Sequence, residues 1–267
     1  MTNSNVSLDD KYSIESGRIF VTGVQALARI PMVQRQRDVL EGLNTAGFIS
    51  GYRGSPVGGF DQQLWRAKKF LEQNHIRFQP GLNEDLAASA IWGSQQTNLH
   101  EGGKYDGVFA IWYGKGPGVD RCGDVFKHGN MSGPAKHGGV LLIAGDDHAA
   151  KSSTVPHQSE YAFMDASIPV LNPAGLQDIV DYGILGFAMS RFSGCWVAFK
   201  TTAENMDSSA SIDVSPDRVK ISLPKFDMPE GGLSIRWPDD WIEQEHRLHQ
   251  YKPVSYTHLR AHETDTD

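Results

Sequence analysis

Four loops in this chain carry side chains that could do chemistry. Gly51–Gly59 (GYRGSPVGG) sets Arg53, Ser55 and Pro56 just past an apolar run. Pro80–Ala88 (PGLNEDLAA) sets Glu84 at a helix start, where the helix dipole favours a carboxylate; spacing alone leaves open a plain N-terminal acid or a working one. Gly114–Gly118 (GKGPG) offers Lys115 on a glycine-rich loop, a weak anion signal that suits a tight structural turn better. Gly145–Glu160 opens on Asp146 and Asp147, which suit either a magnesium ion or a loop cap beside Lys151. His128, His137, His148 and His157 match no standard metal spacing and are expected to be solvated or to pack loops.

Several chemistries are excluded. There is no GxGxxG and no GxxxxGK[ST], so the common phosphate signatures are missing. Gly129–Gly133 (GNMSG) has its serine one place late for a nucleophile elbow, which counts against acyl-transfer hydrolysis. Cys122 and Cys195 are the two cysteines and lie far apart. They cannot build a disulfide scaffold, a cysteine zinc site or an iron–sulfur cluster, which needs about four thiolates. Both read as ordinary buried or semi-buried thiols, so any redox centre must lie outside this chain.

The elements that position these loops follow from apolar patterning. At 267 residues and 39% hydrophobic, the chain can bury one large core or two small ones. A net charge of −7 counts against nucleic acid as a partner. No apolar run approaches the ~20 residues of a bilayer span, and Met1–Arg18 does not resemble a secretory signal, so a cytoplasmic protein is expected. Strands are expected at Arg18–Val21, Gly47–Tyr52, Ile76–Gln79, Gly107–Tyr113, Gly139–Ala144, Ile168–Leu171 and Cys195–Lys200. Helical spacing fills Val24–Leu43, Gly58–Asn74, Glu84–His100 (capped by Asn83) and Leu176–Phe192. Continuous apolar strands separated by helices predict an α/β fold, a doubly wound parallel sheet over about 15–205. Ligands of such sheets sit beyond the C-terminal strand ends, where all four loops lie.

Outside that domain, 1–14 reads as a polar tail. The stretch 206–253 reads as a linker with a short strand at Val219–Leu223 and an amphipathic helix in Trp237–Tyr251 starting at Asp239 or Asp240. The last stretch, 254–267 (VSYTHLRAHETDTD), resembles translated sequencing-adapter read-through and is read as non-native; His258 and His262 are therefore not taken as metal ligands.

The ordered segments GYRGSPVGGFD, NEDLAASAIWGSQ, GVFAIWYGKGPGVDRCGD, GVLLIAGDDHAAKSS and PVLNPAGLQDIVD are similar to the 2-oxoacid:ferredoxin oxidoreductases. Over about residues 15–253 the chain resembles the N-terminal region of the long fused indolepyruvate ferredoxin oxidoreductases. The resemblance implies a thiamine diphosphate-binding fold, in its pyrimidine-binding domain, and oxidative decarboxylation of aryl 2-oxoacids to aryl-acetyl-CoA with ferredoxin as electron acceptor. It implies that Glu84 hydrogen-bonds the aminopyrimidine ring, with Tyr52, Ser55 and Pro56 beside the cofactor. Arg53, Ser55 and Lys115 are implied to face the substrate. Gly145–Asp147 reads GDD in the wrong context for the family's magnesium-binding GDG motif. Magnesium and the iron–sulfur clusters are thus expected in further domains, with this chain supplying a thiamine half-site. Expected partners are a diphosphate-binding domain, an iron–sulfur domain, ferredoxin, coenzyme A and an aryl 2-oxoacid, in an oligomer.

Three alternatives stand beside this reading. One is a relative acting on another 2-oxoacid, such as phenylpyruvate or pyruvate. A second is a non-catalytic pyrimidine-domain subunit completing a partner's site, and a third a nucleotide-binding α/β protein. Under the leading reading the chain alone shows no turnover, and steady indolepyruvate-dependent dye reduction by the purified chain would overturn that.

Overall fold

Apolar runs without polar interruption need both faces covered, and the chain meets that need with a parallel sheet between two helical layers. The computed structural model describes residues 7–261. Its strands are β1 (Arg18–Thr22), β2 (Ala46–Gly51), β3 (Ile76–Phe78), β4 (Val108–Lys115), β5 (Val140–Gly145), β6 (Val170–Leu171), β7 (Val197–Thr201) and β8 (Ser209–Asp213). The helices up to β5 are α1 (Asp10–Ser13), α2 (Gly23–Leu40), α3 (Phe60–Arg66), α4 (Lys68–Gln73), α5 (Glu84–Gln95), α6 (Gly116–Arg121) and α7 (Gly123–Ser132). Those after it are α8 (Glu160–Asp165), α9 (Leu176–Ser193), α10 (Ala203–Met206), α11 (Trp241–Gln250) and α12 (Lys252–Ala261).

Six strands pair in parallel in the order β3-β2-β4-β5-β7-β6. The doubly wound α/β fold expected from the patterning is therefore present. Side chains alternate across the sheet. Ile111, Tyr113, Leu141, Ile143, Val197 and Phe199 pack with α2, α3 and α9 on one face. Trp112, Leu142, Ala144 and Ala198 pack with Ile91, Phe126 and Phe163 of α5, α7 and α8 on the other.

Chain order reverses direction between β2 and β4: the chain runs outward from β2 to β3, then returns to the far side of β2. That switch point opens a crevice at the C-terminal strand ends. The opposite end is bolted by a buried carboxylate. Asp38 of α2, fully buried, accepts from Thr45 Oγ1 (2.6 Å), Gln34 Nε2 (2.8 Å) and both terminal nitrogens of Arg191 (2.6 and 2.9 Å). Arg191 also donates to the carbonyls of Gly138 and His137, tying α2, α9 and the approach to β5 together.

Local structure departs from the sequence reading in several places. The described part of the stretch read as a polar tail carries α1, where Tyr12 is buried and its hydroxyl donates to Gln63 Oε1 (2.8 Å), and α2 ends at Leu40 rather than Leu43. The strand at Arg18–Val21 forms but leaves the main sheet, pairing antiparallel with β8. No strand forms at Val219–Leu223; the partner is β8 instead, whose short polar run SASID buries Ile212 and carries no run-length signal. Gly58–Asn74 divides into a 3-10 turn at Val57–Gly59, then α3 and α4, with the break at Ala67 (ψ 0°). Buried Ala67 lets the chain turn while Leu64 and Leu71 both stay in the core. Helix α5 ends at Gln95 and a 3-10 turn at Thr97–Leu99 follows, short of His100.

Asp240 caps α11 as anticipated: its Oδ1 accepts from Glu243 N (2.9 Å) and Glu243 Oε2 accepts from Asp240 N (3.2 Å). The described part of the stretch read as non-native continues α12, and Ser255 and Leu259 are buried there. Residues 262–267, with His262, and residues 1–6 of the polar tail lie outside the described residues. Among the described residues no helix is long and apolar enough to cross a membrane.

Removing one partner of a buried ion pair leaves the other charge uncompensated. Asp38→Ala is expected to lower unfolding free energy by about 3–5 kcal/mol in urea titrations. A change below about 1 kcal/mol would show that Arg191 is satisfied without it.

Candidate functional site

The candidate site is the crevice where β2, β4 and β5 end, and backbone crowding shapes it. A Cβ on Gly51 would sit 2.2 Å from the Tyr113 carbonyl oxygen, so glycine lets β2 run flush against β4 to its last residue. Tyr52 N still donates to Tyr113 O (3.0 Å), which extends the pairing into the loop. Gly81 N donates to Gly51 O and Gln79 N to Ile49 O, both 2.9 Å, laying the chain before α5 along the end of β2.

Glu84 is delivered by that segment. Asn83 caps α5, accepting from Leu86 N (2.9 Å), and Trp112 Nε1 donates to the Glu84 carbonyl (3.1 Å). The Glu84 side chain, 8% exposed, lies against the turn into α6: a Cβ on Gly118 would come within 2.6 Å of its Cγ and 3.0 Å of its Oε1. Among the described residues no hydrogen bond or ion pair engages its carboxylate. Dipole and cap explain the position, and the glycine explains the fit.

The other anticipated residues surround the same crevice. Tyr52, Arg53 and Ser55 are exposed on the loop after β2, and the Ser55–Pro56 peptide bond is cis. That turn rests on the end of β5, where a Cβ on Gly145 would be 3.0 Å from Pro56 Cδ. Lys115 ends β4; its stem lies over Gly54 and its Nζ donates to Ser152 O (3.0 Å). Burial raises the pKa of both Asp61 and Tyr113, and the Arg53 guanidinium offsets part of that rise at each.

His157 joins the site without having been singled out for it. Its ring packs on Gly116, where a Cβ would be 2.3 Å away, and its Nε2 lies 2.9 Å from Asp120 Oδ2. The signal was the glycine two residues before Gly118, visible only once the loops meet. Asp146 and Asp147 act as loop caps. Asp146 accepts from Ser159 N (2.9 Å) and Ser159 Oγ (2.5 Å), with Lys200 Nζ 3.7 Å away. Lys200 itself pairs with Glu160. Asp147 accepts from Ser152 N (2.7 Å), which fixes the turn that Lys115 binds. Among the described residues no group of three or more His, Cys, Asp or Glu side chains is placed to hold a metal ion. His128 instead stacks on Trp92 at 6.1 Å. Both cysteines are buried and free, and burial pushes both thiols up, which suits packing rather than reactivity.

Comparison with known proteins gives one kind of match. No family model matches the chain, and no curated protein matches it by sequence. A solved structure of 2-oxoglutarate:ferredoxin oxidoreductase from Magnetococcus marinus, with 2-oxoglutarate, coenzyme A and succinyl-CoA bound, shares its fold. The TM-score is 0.58 at 13% identity, over 94% of this chain and 46% of that one. The chain thus spans about half the length of the structure it matches.

The Ser152 N–H holds the Asp147 carboxyl below its ordinary value. A carboxyl depressed in the folded state contributes fully above its unfolded value and loses that contribution as pH falls through the folded one. The Asp147–Ser152 turn is therefore expected to open progressively below about pH 3.9. Amide exchange should report this as lost Ser152 protection in acid, and Asp147→Ala should lack it already at neutral pH. Equal protection in that variant would sink the assignment.

Proposed function

We propose that this crevice is one half of a thiamine diphosphate site and that the chain acts in a 2-oxoacid:ferredoxin oxidoreductase as its pyrimidine-binding region. Glu84 carries the reading: a nearly buried carboxylate at a helix start, without an internal hydrogen-bond donor, in the crevice at the topological switch point. Its chemistry fits the group, because a carboxylate open to the crevice and free of internal donors among the described residues suits a ring nitrogen that donates N–H. The shared fold with an enzyme solved with 2-oxoglutarate, coenzyme A and succinyl-CoA supports a 2-oxoacid as substrate and a thioester as product.

Bound thiamine diphosphate would supply the carbon nucleophile for decarboxylating a 2-oxoacid. Glu84 would accept the hydrogen bond of the aminopyrimidine ring and hold a proton at that nitrogen, favouring the tautomer that acts as a base. Tyr52, Ser55 and Pro56 would flank the ring. Lys115 uses one of its three donors on Ser152 O and keeps the others for a substrate carboxylate. Arg53 would reach the same carboxylate from the exposed loop after β2, and Ser55 would offer a hydroxyl. An aryl 2-oxoacid, indolepyruvate first, is the proposed substrate, with aryl-acetyl-CoA as product and ferredoxin as electron acceptor.

The remaining parts would come from partner domains. A diphosphate-binding domain would bring magnesium, and an iron–sulfur domain would carry electrons to ferredoxin. Exposed Tyr52, Leu82 (86%) and Leu86 (52%) surround Glu84 with apolar surface that suits such a covering domain.

The test is a thiamine diphosphate titration of the chain with and without a diphosphate-domain partner, followed by indolepyruvate-dependent dye reduction. Binding is expected with the partner present. Glu84→Gln, a near-isosteric change, should cut turnover by about 10²–10⁴-fold while leaving the fold intact. Unchanged turnover in Glu84→Gln would refute the assignment; binding without turnover in the unaltered assembly would favour a non-catalytic subunit.

A further inference from the structure

A cavity of about 810 Å³ opens at the opposite end of the sheet from Glu84, within the ~300–1,000 Å³ range of small-molecule pockets. Its walls come from the C-terminal halves of α2 and α9 and from the irregular segment 221–236. Ile184, Phe192, Ile221, Leu223 and Met228 make the body of the cavity apolar. Water alone would solvate such walls poorly, and no other part of the described chain fills it.

Its polar rim is biased toward cations in a chain whose net charge is −7. Arg37, Lys136, His137 and Arg236 face Glu41 there, while Arg191 on the floor is neutralised by Asp38. Arg37 spends Nη1 on the carbonyls of Pro216 and Val219, and Arg236 is held by Asp239 and the Glu230 carbonyl. Lys136 differs: it is exposed, and among the described residues no hydrogen bond or ion pair engages its ammonium. Burial first, and Arg191 and Lys136 after it, hold the neighbouring His137 imidazole below its ordinary value, against the opposing pull of Asp106 and Asp38. An uncommitted cation at the mouth of an apolar basin matches an anion with an apolar body.

We propose that this cavity binds an amphipathic anion, its carboxylate or phosphate on Lys136 and its apolar body against Phe192 and Ile221. The proposal is independent of the thiamine reading, since it uses none of the residues around Glu84.

Calorimetric titration of the full chain with decanoate tests it, with decyltrimethylammonium as the charge-reversed control and 2-naphthoate as a rigid alternative body. Saturable binding of one anion per chain is expected, with no binding of the cation. The tighter of the two anions tells an acyl chain from a planar ring. Lys136→Glu, a surface change, should weaken binding by about tenfold or more. Ala188→Phe, which fills the cavity, should abolish it, and Leu86→Ser, at the other end of the sheet, should leave it unchanged. Absence of saturable anion binding, equal binding of the cation, or full affinity in Lys136→Glu would each overturn the proposal.

Discussion

The β2–β4 pairing is the contact on which the candidate site depends. These neighbouring strands sit where chain order reverses, so their ends diverge into loops that leave in opposite directions. They stay paired to the last residue because Gly51 has no Cβ to strike the Tyr113 carbonyl. The same economy recurs where loops meet: Gly116 under His157, Gly118 under Glu84, Gly145 under Pro56. At each of these positions a side chain would push a loop away from the crevice. Glycine costs conformational entropy, and here that cost brings backbone and functional side chains within contact distance.

The two ends of the sheet treat their buried carboxylates differently. At one end Asp38 accepts four side-chain hydrogen bonds, all inside the fold. A carboxylate so fully satisfied has nothing left to offer a ligand. At the other end Glu84 is almost as buried and has no such partners among the described residues, though its helix is capped and its backbone carbonyl is held by Trp112. Its backbone is thus held rigidly while its carboxylate is left without an internal donor among the described residues.

The Asp146–Glu160 loop links these regimes. Asp146, Ser159, Lys200 and Glu160 form a charged network at the ends of β5 and β7, and it brings His157 and Ser152 onto the crevice. The adjacent aspartates that resemble a metal site in sequence are used up in this structural task. A pair of acids after a strand is ambiguous until its hydrogen-bond donors are known, because magnesium and backbone N–H groups satisfy the same lone pairs.

Patterning by itself determined the α/β class, the parallel sheet, the loops at its C-terminal ends, the Asn83 cap and the Glu84 position. These follow from local rules: run length, period and capping chemistry act over a few residues. The tertiary structure alone decided that β1 leaves the sheet to pair with β8, almost two hundred residues away in sequence (Arg18 with Asp213). It also decided that His157 meets Asp120 and that Lys115 is tied to Ser152. Each is a contact between distant segments, set by which loops the strand order brings side by side. The cavity beside Lys136 belongs to the same class, because its walls come from two helices and an aperiodic segment with no shared local signal.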